Sequence, residues 1–406
     1  MKKIIKSALD VIAYAFFIFA PWTIAGTQGT LVIGIALATL MLMLYPSTAI
    51  KTARLLLFIV LYYVAYFIAN MFSGNFYSSM SSLLNEWLPL TVIFWGVLDW
   101  DEKKIKRGID IFVSVAAIFS VCAIVQHFWG WNFLRGKPLE PIEHFYIALG
   151  PYNEHLTFGG AYFLISFFIL GYLLSKAEKN ILRKKLYWAF FVISSMAVVF
   201  SYSRSIWIAM VFSAIVAASF AGRRAVMWTA GIIAAAFGSF LAFFPSILWR
   251  ASTLFNPSFG SNVNRIVLWK TALNMIKHSP IVGLGSGAFV RRFDEFFAGG
   301  YCPIRGHPHS DILNILVEAG IIGLIAYTGI FVVFFRASYR AVKDGSGVWK
   351  GYAMGAIVAT AGIILAGLFE CNFVNDEIEE ILFFMLSIGV VASWKVESQS
   401  LKAGEV

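Results

Sequence analysis

Residues 157–175 read TFGGAYFLISFFILGYLLS, and no charged side chain interrupts this run. The next ten residues, KAEKNILRKK at 176–185, carry five lysines and arginines. A helix needs about 20 predominantly apolar residues to cross a bilayer, and basic residues collect in cytoplasmic loops. The stretch therefore predicts a membrane-spanning helix that is followed by a cytoplasmic loop.

Similar apolar windows recur along the whole chain of 406 residues. Hydrophobic residues make up 59% of the chain and charged residues 13%, whereas soluble domains carry roughly 25% charged residues. This composition excludes a water-soluble globule and predicts an all-α polytopic membrane protein with about twelve transmembrane helices. The predicted spans are 10–26, 29–46, 54–72, 82–99, 111–129, 157–175, 186–202, 204–221, 225–243, 320–337, 351–369 and 379–394.

One long polar segment, residues 244–319, separates predicted spans nine and ten. It divides the chain into spans one to nine in 1–243, a loop domain in 244–319, and spans ten to twelve with a cytoplasmic tail in 320–406. Within the loop, Ile266, Trp269, Leu273 and Ile276 recur at helical spacing. This pattern predicts an amphipathic helix that lies at the membrane interface.

The distribution of basic residues predicts the orientation. Twelve spans place both termini on one side of the membrane. The termini and loops on that side contain 22 of the 32 lysines and arginines. The positive-inside rule makes that side cytoplasmic and the 244–319 loop periplasmic. The net charge of +10 therefore follows from topology, and no nucleic-acid partner is predicted.

Charged residues are missing from the middle of the proposed spans, although ion-coupled transporters usually need them there. The unusual polar residues instead collect at one membrane face. They lie in the loop 130–156, at 201–205, throughout 244–319, and from Glu370 to Glu380. This distribution favours a reaction at the outer interface over transport.

Two arginines at this face stand beside predicted helix starts. Arg204 lies between Ser203 and Ser205 at the start of span eight, and Arg265 opens the amphipathic helix. Free backbone N–H groups and the helix dipole make such a place suitable for an anion. The alternatives are a snorkelling anchor for Arg204 and a lipid-headgroup contact for Arg265.

Two histidines, His307 and His309, lie in the segment His307-Pro308-His309-Ser310-Asp311 just before span ten. A histidine outside the membrane can accept a proton near neutral pH. A solvated surface histidine is the alternative. Because Pro308 separates the two rings, we expect poor geometry for a shared metal and predict no metal site.

Several short motifs follow one another between residues 200 and 325. They are Ser203-Arg204, Asn264-Arg265-x-x-x-Trp269, Lys277-His278-Ser279-Pro280-Ile281-x-Gly283-x-Gly285, His309-Ser310, and Glu318-x-Gly320-x-x-Gly323-Leu324. In order, spacing and location relative to the spans, the set resembles the O-antigen ligase superfamily. That superfamily includes lipopolysaccharide O-antigen ligases, O-antigen polymerases and protein O-oligosaccharyltransferases.

The resemblance implies a GT-C-like glycosyltransferase in the inner membrane of a Gram-negative bacterium, with a periplasmic active site. It implies a glycan on undecaprenyl pyrophosphate as donor and a sugar hydroxyl of lipid A-core as acceptor. Arg204 and Arg265 would bind the pyrophosphate, and His309 would be the catalytic base. No cofactor or metal is implied.

Other functions and residues remain open from the sequence. An O-antigen polymerase would use the same donor with a second lipid-linked glycan as acceptor, and a protein O-oligosaccharyltransferase would use a protein. A lipid-linked glycan transporter is the alternative that is not an enzyme. Further side chains at the same face are possible secondary site residues: His307, Arg291, Arg292, Arg305 and Glu318.

Overall fold

The computed structural model describes residues 1–224, 245–253, 256–303 and 305–404, together with residues 226, 227, 229, 231 and 238. The described parts are mostly α-helical. The helices are Lys2–Phe19, Ile24–Leu44, Ala53–Met71, Phe76–Asn85, Thr91–Val97, Glu102–Trp129, His155–Leu174, Ile181–Val199, Arg204–Ser219, Pro245–Ser252, Gly260–His278, Ala288–Arg291, Phe293–Phe296, Asp311–Asp344, Gly347–Ala366 and Asp376–Gly404, with a 3₁₀ turn at Leu88–Leu90.

Seven of the described helices are long and apolar enough to cross a membrane. The chain is therefore an all-α polytopic membrane protein, as its composition predicts. The count of twelve spans stays a prediction, and the predicted span 225–243 lies outside the described residues.

The predicted span 82–99 is not one continuous helix. Helix Phe76–Asn85 ends first, the chain passes through a 3₁₀ turn at Leu88–Leu90, and helix Thr91–Val97 follows. Pro89 lies in this turn, and proline has no N–H to continue the helical hydrogen bonds. Hydropathy alone does not register such a break.

Helix His155–Leu174 lies at the centre of the bundle, with 94% of its apolar window buried. It packs closely on helix Gly347–Ala366. A Cβ added at Gly171 would lie only 2.7 Å from the Cα of Gly355, so both glycines are needed for this approach. Towards the other end of the helix, a Cβ added at Gly160 would lie 3.8 Å from Oδ1 of Asn372, so the His155 end lies near the segment that follows helix Gly347–Ala366.

The 244–319 segment forms a small core of its own. Helix Gly260–His278 buries Val267, Leu268, Ala272 and Met275 against the segment 284–293 and Val317. The predicted apolar face is not the face that packs on the loop, since Leu273 is 47% exposed, and its contact with the membrane interface stays a prediction. The helix packs on the rest of its loop through the neighbouring face.

Helix Asp311–Asp344 begins earlier than the predicted span 320–337 and joins the loop to the bundle. Gly320 interrupts it with φ 60° and ψ −159°, a conformation that favours glycine. A Cβ there would lie 2.3 Å from the Ile281 carbonyl oxygen. The kink thus allows the Pro280–Gly285 turn to dock on the helix, and it fixes the loop beside the first turns of helix Asp311–Asp344.

Two short antiparallel hairpins, Trp131–Asn132 with Lys137–Pro138 and Pro141–Ile142 with Phe145–Tyr146, precede helix His155–Leu174.

Candidate functional site

The site is organised by Glu370, which lies four residues after helix Gly347–Ala366. Its carboxylate is nearly buried, with 7% of the side chain exposed. One oxygen, Oε1, lies 2.6 Å from Nδ1 of His309. The other, Oε2, accepts a bond of 3.0 Å from Nη2 of Arg265. Two of the three residues that the sequence selected first are therefore joined by a carboxylate that it did not select.

Backbone contacts hold the His309 segment against the Glu370 segment. The Asp311 N–H donates to the Gly367 carbonyl at 2.8 Å, and the Phe373 N–H donates to the Asp311 carboxylate at 3.0 Å. His309 itself has φ 49°, which is unusual for a residue with a side chain. Such a conformation persists only where surrounding contacts determine it, and it is common at functional sites.

The charges of the site favour an ionised Glu370. Burial raises the pKa of this carboxyl, but the hydrogen bond with His309 and the electrostatic interactions with His309, Arg265 and His307 outweigh burial and lower it to about 2. An ionised carboxylate only accepts hydrogen bonds, so Nδ1 of His309 carries the proton that is shared with Glu370. Nε2 of His309 is then left as the acceptor, which is the tautomer that a general base needs.

His307 lies beside His309, with ring centroids 4.2 Å apart, and its Nδ1 accepts a 3.3 Å bond from the His309 N–H. Burial, followed by the electrostatic interaction with His309, lowers the pKa of His307 to about 4. His307 is therefore neutral at pH 7. It is placed to support the backbone of His309 and does not share the short contact to Glu370.

Arg204 is almost completely buried, with 6% of the residue exposed. Its guanidinium donates to the Thr253 carbonyl and hydroxyl at 2.9 Å each, and to Ser261 Oγ and Asn262 Oδ1 at 2.8 Å each. These acceptors lie on the segment that leads into helix Gly260–His278. Arg204 thus fixes the position of the helix that carries Arg265.

Two further groups belong to the site although the sequence analysis did not select them. His155, at the start of the central helix, interacts electrostatically with Arg250, Arg265 and Glu370. Arg250, in helix Pro245–Ser252, lies over the ring of Phe259 at 5.8 Å, and Arg204 lies over the same ring at 5.5 Å. The signal for Arg250 was present, since it is an arginine in the outer loop, but loop arginines are numerous. His155 and Glu370 lie far from the motifs in sequence.

Comparison with known proteins finds similarity in the part of the chain that carries Arg204, Arg265 and His309. Residues 189–328 match the family model described as O-antigen ligase. Over this stretch the chain is similar to the O-antigen ligase family. It is also 34% identical over 73 residues to a protein of Rickettsia conorii that carries the provisional name polysaccharide ligase. That match covers 16% of this chain and 18% of the relative's length.

The O-antigen ligase match contains Arg204, Arg265 and His309 and ends before Glu370. The coupling of His309 to Glu370 therefore comes from the structure and not from the match. A histidine base, a carboxylate that orients it and clustered arginines can together deprotonate a hydroxyl and bind an anionic leaving group.

The possible secondary residues have other surroundings. Glu318 accepts from the Gly287 N–H at 2.8 Å, and Arg291 donates to Ser79 Oγ at 2.7 Å and to the Ser286 carbonyl, so both hold the glycine turn. Arg292 pairs with Glu295 at 2.7 Å, and Arg305 pairs with Asp294 at 2.7 Å. The structure does not join these four residues to Glu370.

Among the residues that the structure describes, one group of side chains could hold a metal ion. It consists of His307, His309 and Glu370, whose ligand atoms lie within 4.8 Å of one another. The sequence argument from Pro308 against a shared metal is therefore not supported. A different observation opposes a cation here: Glu370 already bonds to His309 at 2.6 Å and to the Arg265 guanidinium at 3.0 Å. An ion would have to break the first contact and would face the positive charge of the second.

Proposed function

We propose that this protein transfers an O-antigen glycan from undecaprenyl pyrophosphate to a sugar hydroxyl of lipid A-core. The observation that carries the proposal is the contact of His309 and Arg265 with the two oxygens of Glu370, at 2.6 and 3.0 Å. One carboxylate thus positions both a base and a cation. The match to the O-antigen ligase family supports the reaction class.

The reaction is a single displacement. Nε2 of His309 takes the proton of the acceptor hydroxyl, and that oxygen forms a bond to the anomeric carbon of the donor glycan. The bond from this carbon to the pyrophosphate oxygen breaks, and its electron pair leaves with the pyrophosphate. Attack from the side opposite the leaving group inverts the anomeric centre.

Electrostatic stabilisation of the leaving group is the second requirement. Pyrophosphate leaves without protonation if positive charge stabilises the charge that develops on it. Arg265 and Arg204 supply this charge in the proposal, and arginine suits phosphate because its planar fork can bind two oxygens at once. No nucleotide sugar, cofactor or metal takes part.

The proposed location of the reaction is the periplasmic face of the Gram-negative inner membrane, with both termini in the cytoplasm. It rests on the 22-to-10 division of basic residues. A periplasm-dependent reporter fused at residue 260 should be active. Activity of a cytoplasm-dependent reporter at the same place would overturn the assignment.

The deciding experiment uses purified protein with undecaprenyl-pyrophosphoryl glycan and lipid A-core, and follows glycan transfer on a gel. A parallel reaction replaces lipid A-core with a second portion of the lipid-linked glycan. Transfer to lipid A-core supports the ligase. Glycan elongation in the parallel reaction alone would establish a polymerase instead, and no transfer in either reaction would contradict the proposal.

A further inference from the structure

Arg250 is a cation of the site that has no carboxylate partner among the described residues. It is half-buried in helix Pro245–Ser252, and its Nε donates a long bond of 3.5 Å to the Tyr202 carbonyl. No carboxylate oxygen of the described residues lies within 4.0 Å of a guanidinium nitrogen of Arg250, the distance that defines an ion pair. Glu140 interacts with it electrostatically without such a contact.

The two other arginines of the site differ from Arg250 in this respect. Arg204 donates four hydrogen bonds to oxygen atoms of the protein, at 2.8 to 2.9 Å. Arg265 donates to Glu370. The terminal nitrogens of Arg250 donate no hydrogen bond within the described part of the chain, so they are the donors of this trio that a ligand can use without breaking a protein contact.

The surroundings of Arg250 make a guanidinium without a described counter-ion unfavourable. Burial lowers the pKa of Arg250, and the charge of Arg265 lowers it further. Arginine nevertheless stays protonated in proteins. Arg250 interacts electrostatically with Arg204 and Arg265, and of these three arginines only Arg265 forms an ion pair with a described carboxylate, that of Glu370. A partly buried charge without a counter-ion is costly, and an anion that binds here removes that cost.

We propose that Arg250 contacts a phosphate group of the prenyl pyrophosphate donor directly, an inference that rests on the proposed function. The guanidinium carbon of Arg250 lies 5.8 Å from the centroid of the Phe259 ring, within the range of a cation–π contact. A guanidinium can bind two phosphate oxygens at once. Arg204 then has a second role in this trio: it positions the loop and adds positive charge, while Arg250 and Arg265 face the phosphates.

The same chemistry could attract a phospholipid headgroup, so the test must separate the two ligands. The probe is glycan-free undecaprenyl pyrophosphate, and its equilibrium binding to the purified full chain is compared with that of undecaprenyl monophosphate and phosphatidylglycerol. We expect the pyrophosphate to bind most tightly. Because no acceptor and no glycan are present, the measurement does not depend on catalysis.

Three variants test the residue itself. Arg250→Ala should weaken pyrophosphate binding about 10-fold or more, since hydrogen bonds to charged groups contribute about that much. Arg250→Gln removes the charge but keeps part of the side-chain stem and an amide donor. Its unfolding temperature in detergent should match that of the unmodified protein, which separates a loss of binding from misfolding. Arg250→Lys should retain part of the affinity. Lys270→Ala, which removes an exposed charge from the same loop, should bind like the unmodified protein.

Two outcomes overturn the proposal and are distinguishable. If both Arg250→Ala and Arg250→Gln bind undecaprenyl pyrophosphate like the unmodified protein, Arg250 makes no phosphate contact and the proposed function is unaffected. If the unmodified protein binds the pyrophosphate no more tightly than phosphatidylglycerol, the donor assignment in the proposed function fails as well.

Discussion

Two arginine–carboxylate clusters of this protein differ in how completely their charges are paired. On the side predicted to be cytoplasmic, Arg183 makes two bonds of 3.0 Å to Asp110 and lies 3.6 Å from Glu178. One arginine there has two carboxylates. At the Glu370 site, one carboxylate contacts Arg265 and His309, and the neighbouring Arg204 and Arg250 form no ion pair with a described carboxylate. The first arrangement is complete within the protein, whereas the second leaves positive charge for a ligand.

The difference shows why an arginine at a membrane interface is ambiguous by itself. Arg183 and Arg265 both form ion pairs at 3.0 Å. In the first pair both carboxylate oxygens bond to the same guanidinium. In the second pair, one carboxylate oxygen of Glu370 bonds to His309 instead. A carboxylate divided between a histidine and an arginine orients a proton acceptor, which a simple structural pair does not do.

The largest effect should come from the base. His309→Ala should reduce the rate of glycan transfer about 10²- to 10⁴-fold, the usual contribution of a positioned base. His307→Ala should retain most activity, because His307 lies 4.0 Å from Glu370 and lacks the short contact. The rates are measured with purified protein and saturating donor.

The two histidine variants also define how the mechanism could be wrong. An inactive His307→Ala with an active His309→Ala would show that the base is His307. Activity in both variants would remove the base from the mechanism, and departure of the pyrophosphate with the aid of arginine would then have to explain the reaction.

The arginines should follow, with losses of about 10²- to 10³-fold for Arg265→Ala and for Arg204→Ala. Lysine should replace either one poorly because it lacks the planar fork. The structure adds a distinction between them. Arg204→Ala also removes four contacts to the 253–262 segment, so limited proteolysis should cut this segment faster than in Arg265→Ala. Equal cleavage would contradict the positioning role.

A smaller effect is expected at Glu370. Glu370→Gln keeps the shape but loses the charge that orients His309, and removal of such an orienting group typically costs about 10- to 100-fold in activity. Asp110→Asn is the matched change in the fully paired cluster. It should lower the thermal unfolding temperature and leave the transfer rate unchanged. A similar loss of rate in both variants would mean that the two clusters are not different in kind.

The fold could be predicted from the sequence where it depends on hydropathy. The stretch 157–175 coincides with helix His155–Leu174 almost residue for residue. Hydropathy was not sufficient elsewhere. It does not register the break at Pro89, and the face of helix Gly260–His278 that packs on the loop depends on neighbours that no local period records.

The candidate site was accessible from the sequence only in part. Arg265 and His309 were selected from their motifs, and the structure joins them. Glu370 was noticed as part of a polar segment without a role, because 61 residues separate it from His309. Its function follows from a contact across the fold. The significance of Arg250 depends on the absence of a carboxylate partner among the described residues, which a sequence does not display.

A modest dependence of stability on pH should arise from His307. Its folded pKa, about 4, lies below the ordinary value of 6.5, so between these values the unfolded chain binds a proton that the folded chain does not. Stability should therefore fall as the pH is lowered from 6.5 towards 4. In His307→Asn this component is missing, and the unfolding temperature in detergent should fall less over the same range. Parallel curves would contradict the assignment.

The smallest expected effect is that of chelation, for which we predict no change. His307, His309 and Glu370 have ligand atoms within 4.8 Å of one another. If these three residues held a metal ion, the Glu370 site would differ from the Arg183 cluster by its metal and not by its unpaired arginines. The same carboxylate, however, is bonded to Arg265 at 3.0 Å, and the neighbouring arginines already provide the positive charge that a metal would bring. Transfer by purified protein should therefore continue after treatment with EDTA. Inhibition by EDTA that magnesium or another divalent ion reverses would show instead that Glu370 binds a metal during the reaction. In that case Glu370→Gln should lose its response to the added ion, whereas Asp110→Asn should respond like the unmodified protein.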